Sequence, residues 1–206
     1  MNRHERRKQK KNNKFNQTLN PDLIEGIKFH TNKDYNKAQA LYDKVLAEEP
    51  KNYEAIRHLG ILHQDLNEYE KAYNFFLQAI RINPDGFQAL SNLATIHMQN
   101  KNYELAYKCL KKSFSINSNY VPTINNLAGY FYKVNDSKNA IYFSELSLKI
   151  QPNNPLALNQ YAKALMINNH PEEAIGLLEK LNKDYPENDS FKYNLSSAFL
   201  NSPISR

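Results

Sequence analysis

Cysteine, glycine and long apolar runs are scarce in this 206-residue chain, and each scarcity excludes a class of site. The single cysteine, Cys109, cannot form an internal disulfide framework or a four-cysteine zinc site. Only five glycines are present, and no glycine-rich phosphate-binding motif occurs. No run of apolar residues approaches the ~20 that a membrane span needs. These absences predict a soluble protein without a transmembrane segment, and we expect it to be cytoplasmic.

Charge is concentrated at the amino terminus. The net charge is +6, and the first 14 residues carry seven lysines and arginines against Glu5 alone, so the rest of the chain is neutral. We interpret residues 1–18 as a disordered basic leader. It could make a weak contact with RNA, an anionic membrane face or an acidic partner, which salt would weaken through counterion release. The alternative is a solvated leader that aids solubility.

A period of 34 residues runs through the rest of the chain. Prolines fall at Pro50, Pro84, Pro152 and Pro186, and Ser118 occupies the missing place. Two further series with the same spacing consist of small residues: Ala38, Ala72, Ala106, Ala140 and Ala174, and Gly26, Gly60, Ala94, Ala128, Ala162 and Ser196. A fixed period of this length is the mark of a repeat architecture.

Each repeat contains two amphipathic helices and no strand pattern. In residues 53–86, Ile56, Leu59 and His63 recur at helical spacing, a polar turn follows, and a second apolar stripe ends before Pro84. We place five repeats and a terminal half-repeat or capping helix with its tail at 19–52, 53–86, 87–120, 121–154, 155–188 and 189–206.

The pattern resembles the tetratricopeptide repeat family, whose small–aromatic–alanine–aromatic–proline signature matches Gly26, Phe29, Ala38, Tyr42 and Pro50. The resemblance implies an all-α, right-handed superhelical solenoid of stacked helix-turn-helix repeats. It also implies that the first helices line an inner groove that binds peptides or proteins.

One position in each first helix is a candidate groove contact. Reading at 34-residue steps gives His58, Asn92, Asn126, Gln160 and Asn194. Side-chain amides donate and accept hydrogen bonds, so a column of them could pair with an extended peptide backbone. The column is similar to the asparagine ladder of the repeat domain in O-linked N-acetylglucosamine transferases, from which His58 departs. The alternative is that an asparagine-rich chain simply places asparagine at solvent-facing positions.

We therefore predict a non-catalytic protein-interaction module that binds an extended peptide or a partner helix. Arg57, Tyr132 and Met166 are additional expected groove contacts. We find no catalytic set and expect no cofactor, bound metal or small-molecule substrate. His63 and His97 occupy interior places in their repeats and are expected to pack rather than to bind metal. The cations of a chaperone carboxylate clamp are absent.

A second interpretation is that the repeats form the substrate- or partner-binding region of a bacterial glycosyltransferase or sulfotransferase whose catalytic domain is absent from this chain. The opening residues 1–8 are similar to those of some bacterial repeat proteins joined to such domains. The last helix also keeps Phe191, Leu195 and Phe199 on one side, as expected if something follows it.

Overall fold

The computed structural model describes residues 20–200, and within them the chain forms eleven α-helices and no strand. The helices are α1 Pro21–Thr31, α2 Tyr35–Glu48, α3 Tyr53–Asp65, α4 Tyr69–Ile82, α5 Phe87–Gln99, α6 Tyr103–Ile116, α7 Val121–Lys133, α8 Ser137–Ile150, α9 Pro155–Ile167, α10 Pro171–Asp184 and α11 Asp189–Leu200. The predicted all-α fold is confirmed. The predictions for the basic leader at 1–18 and for the tail at 201–206 lie outside the described residues.

The helices keep the period of the sequence. From α3 onwards the first helices begin 34 residues apart, at Tyr53, Phe87, Val121, Pro155 and Asp189. Apart from α11, the last described helix, each first helix packs against the second helix that follows it, which produces five helical hairpins in residues 20–200. The chain divides between Ile82 and Asn83 into two compact units. Unit 1 contains α1 to α4, and unit 2 contains α5 to α11.

In unit 1, glycines let the two helices of each hairpin approach closely. A Cβ atom on Gly26 would lie 2.7 Å from Cε1 of the fully buried Tyr42. A Cβ atom on Gly60 would lie 2.5 Å from Cε1 of the fully buried Phe76. Both rings therefore occupy the space that a larger residue would need.

In unit 2, the same positions carry alanine and the facing residue is smaller. Ala94 shares a buried cluster with Leu110, and Ala162 shares one with Leu178. The chain thus has glycine where the facing side chain is an aromatic ring, and alanine where it is leucine. The 34-residue series of small residues reflects this complementarity of size at each hairpin.

The fourth hairpin fills the same space differently. Ser144 replaces the large residue, and its buried hydroxyl donates a 2.8 Å hydrogen bond to the carbonyl of Ala140. The preceding residue, Phe143, stacks on Phe131 with ring centroids 5.5 Å apart. Aromatic packing at this hairpin therefore shifts by one residue.

The turn inside each hairpin has one recurrent geometry. Five residues adopt left-handed backbone angles with φ between 59° and 63°, namely Lys33, Asn67, Lys101, Asn135 and Asn169. At the first turn the N–H of Lys33 bonds the carbonyl of His30, and the N–H of Asp34 bonds the carbonyl of Phe29, both at 2.9 Å. The equivalent pair closes the other four turns. The first helices α1, α3, α5, α7 and α9 thus end in a Schellman motif.

We expect Gly60→Ala to lower the free energy of unfolding by about 1–3 kcal/mol, because the new methyl group must displace the buried Phe76 ring. Urea denaturation measures the change. Gly176→Ala is the matched control: nothing lies within 4 Å of a Cβ atom at this helical position, so alanine should stabilise by about 0.5–1 kcal/mol. Equal effects of the two substitutions would contradict the proposed packing.

We expect Lys101→Asn to raise the free energy of unfolding by about 0.5–1 kcal/mol, because asparagine tolerates the left-handed region better than lysine does. Three of the five equivalent turns already have asparagine. Lys111→Asn, at an exposed position inside α6, should not stabilise, since asparagine is a weaker helix former. Thermal unfolding distinguishes the two, and a gain at both positions would refute the backbone explanation.

Candidate functional site

The first helices of unit 1 border a cleft of about 320 Å³. Its lining combines apolar and titratable side chains: Ile27, His30, Thr31, Lys33, Tyr35, His58, Ile61 and Asp65. Four of these residues belong to α1 or its turn, and three belong to α3. The cleft therefore lies where two successive first helices pack side by side. It contains His58, a candidate groove contact from the sequence.

Arg57, the second candidate in unit 1, forms internal hydrogen bonds. Its Nε and Nη2 atoms donate to Oε2 of Glu54 at 2.9 and 2.6 Å. Nη2 also lies 2.8 Å from Nε2 of His58. The side chain of Arg57 is only 12% exposed. Its guanidinium therefore orients His58, which lines the cleft.

The contact with Arg57 determines the proton position on His58. Guanidinium has no acceptor, so Nε2 of His58 must accept and the imidazole proton lies on Nδ1. Burial, followed by the charges of Arg57 and His30, lowers the pKa of His58 from 6.5 to about 3. His58 is therefore neutral at physiological pH and carries its N–H donor on Nδ1.

A second series of linked hydrogen bonds lies beside His58 in the same unit. Nε2 of His30 donates to Oδ2 of Asp65 at 3.0 Å, and Nδ1 lies 3.4 Å from the hydroxyl of Tyr42. Burial raises the pKa of Tyr42 to about 12, which keeps this hydroxyl protonated. The ring centroids of Tyr42 and His58 are 5.7 Å apart. These contacts fix both histidine rings at the cleft.

In unit 2, two of the predicted amides tie neighbouring first helices together. Nδ2 of Asn126, in α7, lies 3.1 Å from Oγ of Ser91 and 3.2 Å from Oγ1 of Thr95, both in α5. Nδ2 of Asn194, in α11, donates to Oδ1 of Asn159, in α9, at 2.8 Å. Their NH₂ groups are therefore used inside the protein.

The other two amides of unit 2 each have a buried atom without a hydrogen-bond partner among the described residues. These atoms are Nδ2 of Asn92, a donor, and Oε1 of Gln160, an acceptor. Gln160 lies over Gly129, because a Cβ atom there would be 3.1 Å from its Nε2 atom. Buried polar atoms normally have partners. These two amides thus differ from Asn126 and Asn194, and we call the four together the amide column.

The two expected apolar contacts have different environments. Nζ of Lys163 lies over the ring of Tyr132, 4.3 Å from its centroid, so one face of this ring contacts a cation. Met166 packs against the terminal buried cluster that includes Leu165 and Phe191. Both residues remain half-buried.

Other reactive groups of residues 20–200 form no site. His63 is buried and its ring stacks on Phe75 at 5.2 Å. Burial raises the pKa of the half-buried Cys109 thiol, which makes it a weaker nucleophile. Within the described range, no group of three or more histidine, cysteine or acidic residues could hold a metal ion. No described helix has the length and apolar character that crossing a membrane would require.

Comparison with known families identifies the hairpins between residues 30 and 120. Residues 30–85 and residues 87–120 each match a family model described as tetratricopeptide repeat. The chain contains tetratricopeptide repeats. No curated protein matches the chain.

Solved structures share the tetratricopeptide repeat fold at low sequence identity. A thermophilic tetratricopeptide repeat protein of Thermus thermophilus is 18% identical, with a TM-score of 0.72 over 87% of this chain and 97% of that one. The Cut9–Hcn1 hetero-tetramer of the APC/C is 17% identical, with a TM-score of 0.79 over 87% of this chain and 36% of that one. YrrB is described as a tetratricopeptide repeat protein with an unusual peptide-binding site. It is 16% identical, with a TM-score of 0.57 over 77% of this chain and 82% of that one.

Sequence reasoning missed two features of these repeats. Lys163 was not among the predicted contacts, although it is the one lysine in the column of Ile27, Ile61, Thr95, Gly129 and Lys163. Ser91 and Asn159 were also missed as partners of the amide column. Each lies one residue before a column position and could have been found by reading that series at 34-residue steps.

We expect acidification to destabilise the wild type more than His58→Gln. Because the folded pKa of His58 is about 3 and the ordinary value is 6.5, only the unfolded chain takes up this proton between those values. Stability contributed by neutral His58 is therefore lost as pH falls below about 6.5. Between pH 7 and 4 the wild type should lose about 1–3 kcal/mol more than the variant in urea denaturation. Parallel pH profiles would show that His58 titrates normally.

Proposed function

We propose that this chain is a non-catalytic protein-interaction module that binds an extended peptide segment or a partner helix along its first helices. The observation that carries the proposal is the pair of unpartnered amide atoms, Nδ2 of Asn92 and Oε1 of Gln160. An extended peptide offers the complementary groups in its backbone carbonyls and N–H groups. Both atoms are buried in the free chain, so binding would satisfy them as each amide side chain turns toward the ligand.

The amide column would then have two roles. Asn126 and Asn194 connect neighbouring first helices through their NH₂ groups. Asn92 and Gln160 keep a donor and an acceptor for a ligand. This division predicts that only the second pair can be changed without loosening the contacts between repeats.

In unit 1, His58 would supply the main polar contact. Its Nδ1–H is the donor left after Arg57 occupies Nε2, and it borders a cleft with the apolar side chains Ile27 and Ile61. A peptide carbonyl on His58 would place a neighbouring apolar side chain between the two isoleucines. Tyr132 and Met166 would add contacts in unit 2.

The comparisons support this function in general terms. YrrB is described as having a peptide-binding site, and Cut9 is part of a hetero-tetramer with Hcn1. Repeat arrays of this kind present extended surfaces suited to elongated partners. A single groove running from His58 through Asn92 stays a prediction, as does a cytoplasmic location.

The test uses the full chain and a 12-residue peptide library displayed on phage. Selected peptides should bind Asn92→Ala/Gln160→Ala about tenfold or more weakly than the wild type, because two hydrogen bonds of ~1 kcal/mol each are lost. Fluorescence anisotropy of the labelled peptides measures the affinity, and far-ultraviolet circular dichroism checks the helix content.

Asn74→Ala/Gln78→Ala is the matched control. It removes the same two side-chain types from exposed positions on the second helix α4. Its affinity should equal that of the wild type. Equal weakening by both double variants, or no weakening by Asn92→Ala/Gln160→Ala, would overturn the proposed function.

A further inference from the structure

A half-buried lysine in unit 2 lies over an aromatic ring on the neighbouring first helix. Nζ of Lys163, in α9, is 4.3 Å from the ring centroid of Tyr132, in α7. This is cation–π geometry, which holds the ammonium group at one place. Gln160 lies one helical turn before Lys163 and so shares its face of α9. Lys133 follows Tyr132 at the end of α7.

No carboxylate in the described part of the chain forms an ion pair with Lys163. In the ion pairs found between residues 20 and 200, the lysines are Lys37, Lys44, Lys71, Lys108 and Lys192. Neither Lys163 nor Lys133 takes part. Lysines that are largely removed from water are usually paired, because burial of an uncompensated charge costs free energy. Lys163 is thus a partly buried cation without a carboxylate partner among residues 20–200.

The electrostatics of Lys163 agree with this geometry. Burial, followed by the positive charge of Lys133, lowers the pKa of Lys163 from 10.5 to about 8. Tyr132 and Lys133 of α7 are the aromatic and charged groups that act on the ammonium. No described charged group on α8, α10 or α11 is among the causes of the shift. An anion placed between the two lysines would remove both costs.

The unpartnered Oε1 atom of Gln160 narrows the chemistry of the ligand. It accepts hydrogen bonds and has no donor among the described residues. With the buried Gln160 amide turned toward the ligand, a ligand that fits presents a negative group to Lys163 and an N–H group about one helical turn away, roughly 5 Å along α9. An acidic residue in an extended peptide has both, the carboxylate on its side chain and the N–H in its backbone.

We propose that Tyr132, Lys133, Gln160 and Lys163 form an acidic-residue subsite that binds a glutamate or aspartate side chain of a partner segment. The inference rests on the proposed function, because the subsite lies along the same first helices. It specifies that the partner carries a negative charge at this point, which the amide column alone does not determine.

The experiment compares two ten-residue peptides on the full chain. Both are fluorescein-labelled with blocked ends. One alternates glutamate and leucine, and the other alternates glutamine and leucine. At pH 7 the wild type should bind the glutamate peptide at least tenfold more tightly in fluorescence anisotropy. Lys163→Gln should reduce this preference to below threefold, and Lys163→Arg should keep it.

Titration supplies a second readout. Affinity of the wild type for the glutamate peptide should fall between pH 7 and 9 as Lys163 loses its proton, whereas Lys163→Arg should show a flat profile. Lys180→Gln, which removes an exposed lysine from the second helix α10, is the matched control and should keep the full preference.

The outcomes separate the subsite from the proposed function. If the wild type binds both peptides equally, or if Lys163→Gln keeps the preference, the subsite is wrong while peptide binding stands. If neither peptide binds, the subsite is also wrong as stated, and the library selection decides the proposed function independently. A preference that Lys180→Gln abolishes equally would indicate general electrostatic attraction and would overturn the subsite.

Discussion

The close approach of the two helices in each hairpin is the constraint on which this structure depends. The distance between them is set by two facing side chains whose combined size must fit the space. Glycine opposite a tyrosine or phenylalanine ring solves the problem in unit 1, and alanine opposite leucine solves it twice in unit 2. Without this match the apolar stripes of the helices could not close over one another, and neither helix could bury its stripe alone.

Contacts between successive first helices are of a different kind. Apolar packing within the hairpins is non-directional, whereas Asn126 and Asn194 form hydrogen bonds that have a defined donor and acceptor. Asn126 lies beside Ser91, and Asn194 lies beside Asn159. In both cases the partner is the residue just before the equivalent column position of the previous repeat. The same side-chain chemistry can therefore hold neighbouring repeats together and, where an amide atom is left over, present a group to a ligand.

The 34-residue period predicted the fold well, because the fold depends only on the positions at which small residues and prolines recur. The alanine and proline series were enough to place first and second helices, and the first helices begin at the expected spacing from Tyr53 onwards. The series also placed Gly60 among the recurrent small residues, and the structure shows why a small residue is needed there. Its facing ring, Phe76, belongs to the same pattern and supplies the physical reason.

The site was less predictable because it depends on individual atoms. Periodicity placed Asn126 on an inner face but could not show that Ser91 and Thr95 would occupy its NH₂ group. The neutral state of His58 follows from its burial and from the charge of one neighbouring arginine, and no spacing rule determines either. Lys163 breaks the pattern of its column and for that reason escaped an analysis built on regularity.

The size match inside the hairpins also limits how such a protein can change by recombination. The small residue and its large neighbour lie on two different helices, 16 residues apart at Gly26 and Tyr42 as at Gly60 and Phe76. A crossover in the turn between them would join an alanine-bearing helix to a ring-bearing one and cause a clash. A crossover in the linker between hairpins would keep both members of each pair together. Whole hairpins are therefore the natural modules of exchange, and single helices are not.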